Sequence, residues 1–238
     1  MNLDDRTLEF APNFTSCGVG QDRDLSMMQS VYELRYQVYC VECAFLAPED
    51  YPDNKESDEY DDDCAHFCTY NMDKELVGYV RLVGPQGGQF PFQAQGAGTF
   101  PEVKLPPAAE CGEISRLMVR NDYRRRPGDL LAGVSMPQHT PQNIERRSPS
   151  PQILLSLYRQ MYQHSIANGT RYWYAAMERS LARALMRFDF VFRPIGAEID
   201  YYGPVAPYLA DLRELETTLE KANPVLLAWM QRPDTKHS

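Results

Sequence analysis

The stretch Glu113-Ile114-Ser115-Arg116-Leu117-Met118-Val119 constrains the fold of this chain more than any other. Its apolar residues read as a strand, yet it carries a carboxylate and a guanidinium three residues apart. Burying either charge is costly unless it is paired or used. A carboxylate in a mostly apolar wall has its pKa raised, which suits a general base. The two charges equally suit a structural ion pair to other elements. In a regular strand Glu113 and Arg116 face opposite sides, so bringing both to one site requires a β-bulge near Ser115–Leu117.

The periodicity around this strand predicts the other elements. A helix is expected over 24–42, capped by Asp24 or Ser26, with Met27, Val31, Leu34, Val38 and Val41 as its buried stripe. Arg35 borders that stripe between Tyr32 and Tyr39; there it snorkels or holds a carboxylate or phosphate in a cleft. Strands follow over 65–71 and 76–84. In the second, Val77, Tyr79, Arg81 and Val83 share a face, so Arg81 needs an acid such as Asp58, Asp61 or Glu113. Residues 85–110 read as a long loop or weak strand pair. Then come a helix over 151–167, a buried strand over 172–177, a short helix over 179–188 and strand-like pieces over 190–195 and 197–202. Tyr208, Leu212, Leu215 and Leu219 mark a C-terminal helix, and Asn223-Pro224 starts another. The expectation is one α/β (α+β) domain over 1–238, a mixed central sheet flanked by helices. Residues 1–22 are its N-terminal arm, 128–150 a mobile insertion and 205–238 its C-terminal helices.

Charge narrows the function classes. The net charge is −9, and residues 49–63 hold nine acids against Lys55, or −8 in one loop. Basic residues cluster only locally, at Arg120 and Arg124-Arg125-Arg126, then at Arg146 and Arg147. Nucleic-acid binding is not expected from this balance, whereas an acidic partner for a local basic patch is. No apolar run reaches the roughly 20 residues that span a bilayer. No basic n-region or apolar h-region opens the chain, so a cytoplasmic location with reduced cysteines is expected. Cys40, Cys43, Cys64, Cys68 and His66 supply enough zinc ligands in number. Their spacing at a helix end and a strand start is not that of a zinc site, so no metal is expected. Phosphate-loop, dinucleotide and nucleophile-elbow patterns do not occur.

The set Arg35, Tyr39, Phe45, Asp58-x-Tyr60-Asp61, Val80-Arg81-Leu82 and Glu113-x-Ser115-Arg116, in that order, resembles the acyl-homoserine-lactone (autoinducer) synthases and the related N-acyl amino acid synthases. Among these it looks most like the acyltransferases associated with PEP-CTERM/exosortase systems. The resemblance covers roughly residues 25–205 and implies the GNAT N-acyltransferase fold. Phe45 stands where lactone synthases usually carry tryptophan, which argues for an amino acid rather than S-adenosylmethionine as acceptor. Arg124-Arg125-Arg126-Pro127-Gly128 stands where enzymes of this fold that use CoA carry a glycine-rich pyrophosphate turn. Proline removes a donor there, which favours acyl carrier protein over acyl-CoA as donor, with Arg120, Arg124, Arg125 and Arg126 as its contacts.

The implied reaction moves a fatty acyl group from a thioester to a small amine, with no bound cofactor. Glu113 is the expected base, with Arg116 beside it. Strand N–H groups near Leu117–Val119 are the expected oxyanion donors. Arg35, Tyr39, Phe45, Asp58, Asp61 and Arg81 shape the acceptor pocket, and Val119, Trp173, Tyr174 and Met177 line an acyl tunnel or serve as plain core. The alternatives are lactone synthesis from S-adenosylmethionine and an acyl-ligand sensor of a surface-export system without turnover.

Overall fold

A computed structural model of the chain describes residues 10–11, 14–19, 25–124, 149–201 and 203–233. Its elements are β1 (Thr15–Val19), α1 (Leu25–Tyr36), β2 (Cys64–Tyr70), β3 (Leu76–Val83), the single turn α2 (Pro91–Ala94), β4 (Cys111–Val119), α3 (Pro149–Ala167), β5 (Tyr172–Met177), α4 (Arg179–Met186), β6 (Arg193–Pro194), β7 (Ile199–Asp200), β8 (Pro204–Asp211), α5 (Leu212–Ala222) and α6 (Pro224–Gln231). One mixed sheet runs β1-β2-β3-β4-β5-β8-β6, with β7 paired to β8. Among the described residues β4 and β5 form its one parallel pair. Helices lie on both faces: α1 covers Cys68, Tyr79 and Met118, and α3 covers the larger core of Phe67, Val80, Ile114 and Trp173.

Two irregularities aim side chains at the site. Past Tyr36 the first helix continues as a π-helical turn, Gln37–Glu42. The wider turn rotates the stripe, so Tyr39 and Cys40 turn inward and Val41, expected inside, is 54% exposed. The second is in β4. Ser115 pairs with Arg81 and Met118 with Tyr79, so three steps on β4 oppose two on β3. Arg116 absorbs the extra residue at φ 55°, in the left-handed region. The bulge expected at Ser115–Leu117 is therefore present.

The parallel pair also ends early. Pairing of β4 with β5 stops at Ile114 and Ala175, although both strands continue. The sheet splays there, and a gap opens between the two strands.

Several expectations need correction. The stretch from Tyr208, read as helix, is strand β8, which pairs with β5, and the helix begins only at Leu212. Pro204 and Pro207 hold that segment extended, because neither can donate into a helical ladder. The pieces expected over 190–202 shrink to the two-residue strands β6 and β7. Residues 15–19 of the expected arm add a strand to the sheet edge. Val77 packs under α3 while Tyr79 packs under α1, because the β2–β3 pairing slips between Thr69 and Tyr70. Asp24 and residues 128–148 of the expected insertion lie outside the described residues.

Gly78 lets α3 settle on β3: a Cβ there would lie 2.3 Å from Ile153 Cγ2 and 3.3 Å from Leu157 Cδ1. Gly78→Ala is expected to cost about 1–3 kcal/mol by overpacking, seen as a lower urea midpoint. Gly84→Ala, where nothing lies within 4 Å, is the control and should leave the midpoint nearly unchanged.

Candidate functional site

The loop before β2 folds on its own carboxylates. Asp61 Oδ2 accepts from the Asp58 N–H at 2.8 Å, and Asp58 Oδ1 accepts from the Tyr60 N–H at 3.1 Å. The Glu56 N–H is bonded to Tyr32 O of α1 at 3.0 Å. The acid run is thus not simply a solvated face. Glu56, Asp58 and Asp61 turn inward while Ser57, Asp62 and Asp63 stay exposed.

Three guanidiniums meet these three carboxylates. Arg35, with no exposed surface, grips Glu56 with Nε at 2.5 Å and Nη2 at 2.9 Å, and reaches Asp61 Oδ1 with Nη1 at 2.5 Å. Arg81 grips Asp58 at 2.5 and 2.7 Å, and its Nη1 donates to the same Asp61 Oδ1 at 2.6 Å. Arg116 donates to Glu56 at 3.0 and 3.3 Å and to Asp58 at 2.9 Å. Ser115 Oγ accepts from Arg81 at 3.3 Å. Three positive charges against three negative leave the cluster neutral, the condition under which buried charges are tolerated. Burial pushes the Asp58 carboxyl up, but Arg81, then Arg116 and Arg35, outweigh it and hold it at about 2.

Glu113 lies on the same wall but outside these ion pairs. It is 4% exposed, and its Oε2 accepts the Phe92 N–H of α2 at 3.0 Å. Burial pushes its carboxyl up to about 8, against that hydrogen bond and the charge of Arg81. One wall thus carries an acid held far down and another held far up.

A cavity of about 330 Å³ opens at the splay of β4 and β5. Its polar end is formed by Asp58, Tyr60, Arg81, Glu113, Ser115 and Arg116, with Tyr39, Phe45 and Tyr51 beside them. Its more apolar part is formed by Leu117, Tyr158, Ala175, Met177 and Leu181, with Glu178 and Tyr201 also on the lining. Tyr39 belongs to the core under α1 and Tyr158 to the core under α3, so the cavity passes through the sheet. The Arg116 guanidinium stands 4.9 Å over the Tyr39 ring, and Phe45 meets that ring edge-on at 6.0 Å. The Phe45 and Leu46 N–H groups both bond back to Tyr39 O, which folds this corner onto the π-helical turn.

The structure therefore brings Tyr39, Phe45, Asp58, Arg81, Glu113, Arg116 and Leu117 to one cavity. Arg35 and Asp61 stand behind its wall, their polar atoms committed to the other charges, and they position it. Val119 is not on the cavity; it pairs with Gly78 beyond the bulge and packs in the core under α3. Trp173 and Tyr174 are likewise core, Trp173 donating to Ser165 Oγ and Tyr174 packing on Phe90 and Phe92. Met118 and Val119 are also paired with β3, whereas Arg116 and Leu117 have no partner residue in either neighbouring strand. Arg120 spends its guanidinium on Asp122 and Glu75, and Arg124 pairs with Glu42; neither lines the cavity. Arg125 and Arg126 lie outside the described residues. Glu56 was not singled out in the sequence. Its signal is a charge count: three buried arginines require three acids once Glu113 is set aside as a base.

All six cysteines are free thiols. Asp61, Cys64 and His66 each bring a ligand atom within 4.8 Å of one another. The Asp61 carboxylate is held by two arginines, and His66 Nδ1 is bonded to the Tyr79 hydroxyl at 2.7 Å, so both are committed. Among the described residues no helix is long and apolar enough to cross a membrane.

Residues 34–133 match the acetyltransferase (GNAT) domain family. No curated protein matches the chain. Similar solved structures include TofI in a ternary complex with an inhibitor and MTA, with TM-score 0.63, 15% identity, and 90% of this chain and 99% of that one covered. They include BjaI, a CoA-dependent acyl-homoserine lactone synthase with SAM and isopentyl-CoA, at 0.58, 18%, 88% and 88%. The AHL synthase LasI follows at 0.54, 14%, 82% and 88%. At these identities the likeness is one of fold.

Arg35→Met strips Glu56 of its bidentate donor inside the protein. The expected cost is about 3–5 kcal/mol of unfolding free energy in urea at pH 7. The Glu56 carboxyl is lowered in the native protein: burial raises it, but Arg35 and Arg116 outweigh that. Acid that neutralises Glu56 in the variant should narrow the gap to the native chain. A gap that widens toward acid pH contradicts the assignment.

Proposed function

We propose, from a chain whose residues 34–133 carry a GNAT acetyltransferase domain, an N-acyltransferase that moves a fatty acyl group from a thioester to the amine of a small acid-bearing acceptor, such as an amino acid. The observation that carries this reading is the through-sheet cavity, with fixed charges at one end and an apolar lining at the other. The acyl chain takes the apolar end and its thioester carbonyl lies at the splay. The acceptor takes the polar end, its carboxylate on Arg116 and its ammonium on Asp58 and Glu113. Glu113, directly or through a water, takes a proton from the ammonium, and the amine attacks the carbonyl. The N–H groups of Arg116 and Leu117 receive the negative charge that develops on oxygen. The C–S bond then breaks, an amide remains and the thiol leaves.

The donor thioester is on acyl carrier protein or CoA. The basic run Arg124-Arg125-Arg126 in the sequence favours the acidic carrier protein. A second reading, lactone synthesis, has its own support: TofI was solved with MTA and BjaI with SAM, on the same fold. Release of methylthioadenosine from S-adenosylmethionine distinguishes the two.

With purified protein, an acyl thioester and an amino-acid pool, N-acyl product is expected by mass spectrometry. Glu113→Gln should lower kcat by about 10²–10⁴-fold. With its carboxyl at about 8, Glu113 is mostly protonated at pH 7, so kcat/KM should climb with pH toward 8. The Gln variant keeps only the titration of the substrate amine. The raised carboxyl also means that native stability falls as pH rises from the ordinary carboxylate range to 8, and the variant should escape that fall. A folded variant with unchanged rate and pH profile removes Glu113 from the reaction.

A further inference from the structure

None of the six cysteines has a step in the proposed transfer, yet two of them face each other at the edge of the sheet. Strand β1 pairs antiparallel with β2, and Cys17 stands directly opposite Cys68. The register is pinned from the other face of the sheet. The neighbouring pair, Ser16 and Thr69, meets one group of α3: Ser156 Oγ lies 2.9 Å from Ser16 Oγ and accepts from Thr69 Oγ1 at 3.2 Å. Side chains alternate along a strand, so Cys17 and Cys68 both point to the α1 side, where Cys68 packs with Tyr79 and Met118. Directly opposed residues of an antiparallel pair have Cα atoms about 4.5–5.5 Å apart, inside the roughly 4.4–6.8 Å that a disulfide spans. Among the described residues no other two cysteines oppose each other in register; Cys64 faces Val83 and Cys111 faces Tyr172.

The two thiols differ in access. Cys68 has no exposed surface, and burial pushes its thiol up to about 12. Cys17 is partly exposed. We infer that Cys17 and Cys68 are a reversible modification site, a disulfide closed by exchange with a low-molecular-weight disulfide such as oxidised glutathione. The Cys17 thiolate attacks one sulfur of the small disulfide, expels a small thiolate and becomes a mixed disulfide. Cys68 gives its proton to solvent, attacks the Cys17 sulfur and expels the second small thiolate. The protein loses two protons and two electrons, and the small disulfide is reduced to two thiols. The second step starts from the buried, high-pKa thiol and is the slow one. The bridge closes a loop that contains α1, the π-helical turn and the acid run, and with them Arg35, Tyr39, Glu56, Asp58 and Asp61. Closure removes freedom from the unfolded chain, so it ties the edge strand to the segment that supplies most of the charged cluster.

The test uses the full native chain, reduced, freed of reductant, incubated in its folded state with oxidised glutathione and quenched with an alkylating reagent. Mass spectrometry should show a species two hydrogens lighter than the reduced protein, with two proteolytic fragments joined through Cys17 and Cys68. Fragmentation separates Cys68 from Cys64, which shares its tryptic peptide. Dithiothreitol should restore the reduced mass. Full conversion should raise Tm by about 4–12 °C. In Cys17→Ser both the lighter species and the rise in Tm should be missing. The native arm identifies the bridge directly, so the result stands even where the variant fails to fold. A glutathione adduct that stays on Cys17, two thiols that remain open to alkylation, a bridge to another cysteine, or a bridged protein with unchanged Tm overturns the inference. None of these outcomes depends on acyl transfer.

Discussion

One carboxylate oxygen, Asp61 Oδ1, accepts from two guanidiniums, Arg35 at 2.5 Å and Arg81 at 2.6 Å. Each guanidinium then grips a second acid, and Arg116 ties those two acids together. The result joins α1, the loop before β2, β3 and the bulge of β4, which are otherwise separate in sequence. A buried cluster of this kind is not strong because it is charged; desolvation offsets most of the attraction. It is specific, because each member leaves an uncompensated charge behind if the others shift. The π-helical turn that carries Tyr39 and the bulge that carries Arg116 are the local irregularities that let regular elements supply side chains to one point.

The splay of the sheet turns that fixed cluster into a site. Past Ile114 and Ala175 nothing joins β4 to β5, and the opening connects a charged face to an apolar one. The acids of the wall divide by their partners. Asp58, gripped by Arg81, is held at about 2 and remains a fixed charge. Glu113 meets one backbone N–H and is buried with little else, so it sits at about 8 and can exchange a proton near neutrality. Environments that push two carboxyls apart separate a structural charge from a base. Acyl transfer to an amine needs both: one to hold the acceptor, the other to deprotonate it.

Much of this was legible in the chain. The paired charges of Glu113 and Arg116 could share a site only through a bulge, and Arg116 at φ 55° supplies it. Arg81 on an apolar strand face demanded an acid, and Asp58 and Asp61 provide it. Glu56 escaped notice because it lies inside an acid run, where solvation is the ordinary reading. β8 was misread because Tyr208, Leu212, Leu215 and Leu219 keep a helical spacing across a strand–helix junction; the prolines before Tyr208 were the better guide. That Tyr158 lines the cavity was not readable at all, because a tyrosine on an apolar helix stripe looks like core until the strands splay.

The most direct measurement is mass spectrometry of lipid extracts from cells overproducing the native protein or Glu113→Gln. Acyl transfer at the through-sheet cavity predicts an N-acylated amine that accumulates with the native protein and is missing with the variant. An N-acyl product made equally by both, or by neither while both are folded, contradicts it.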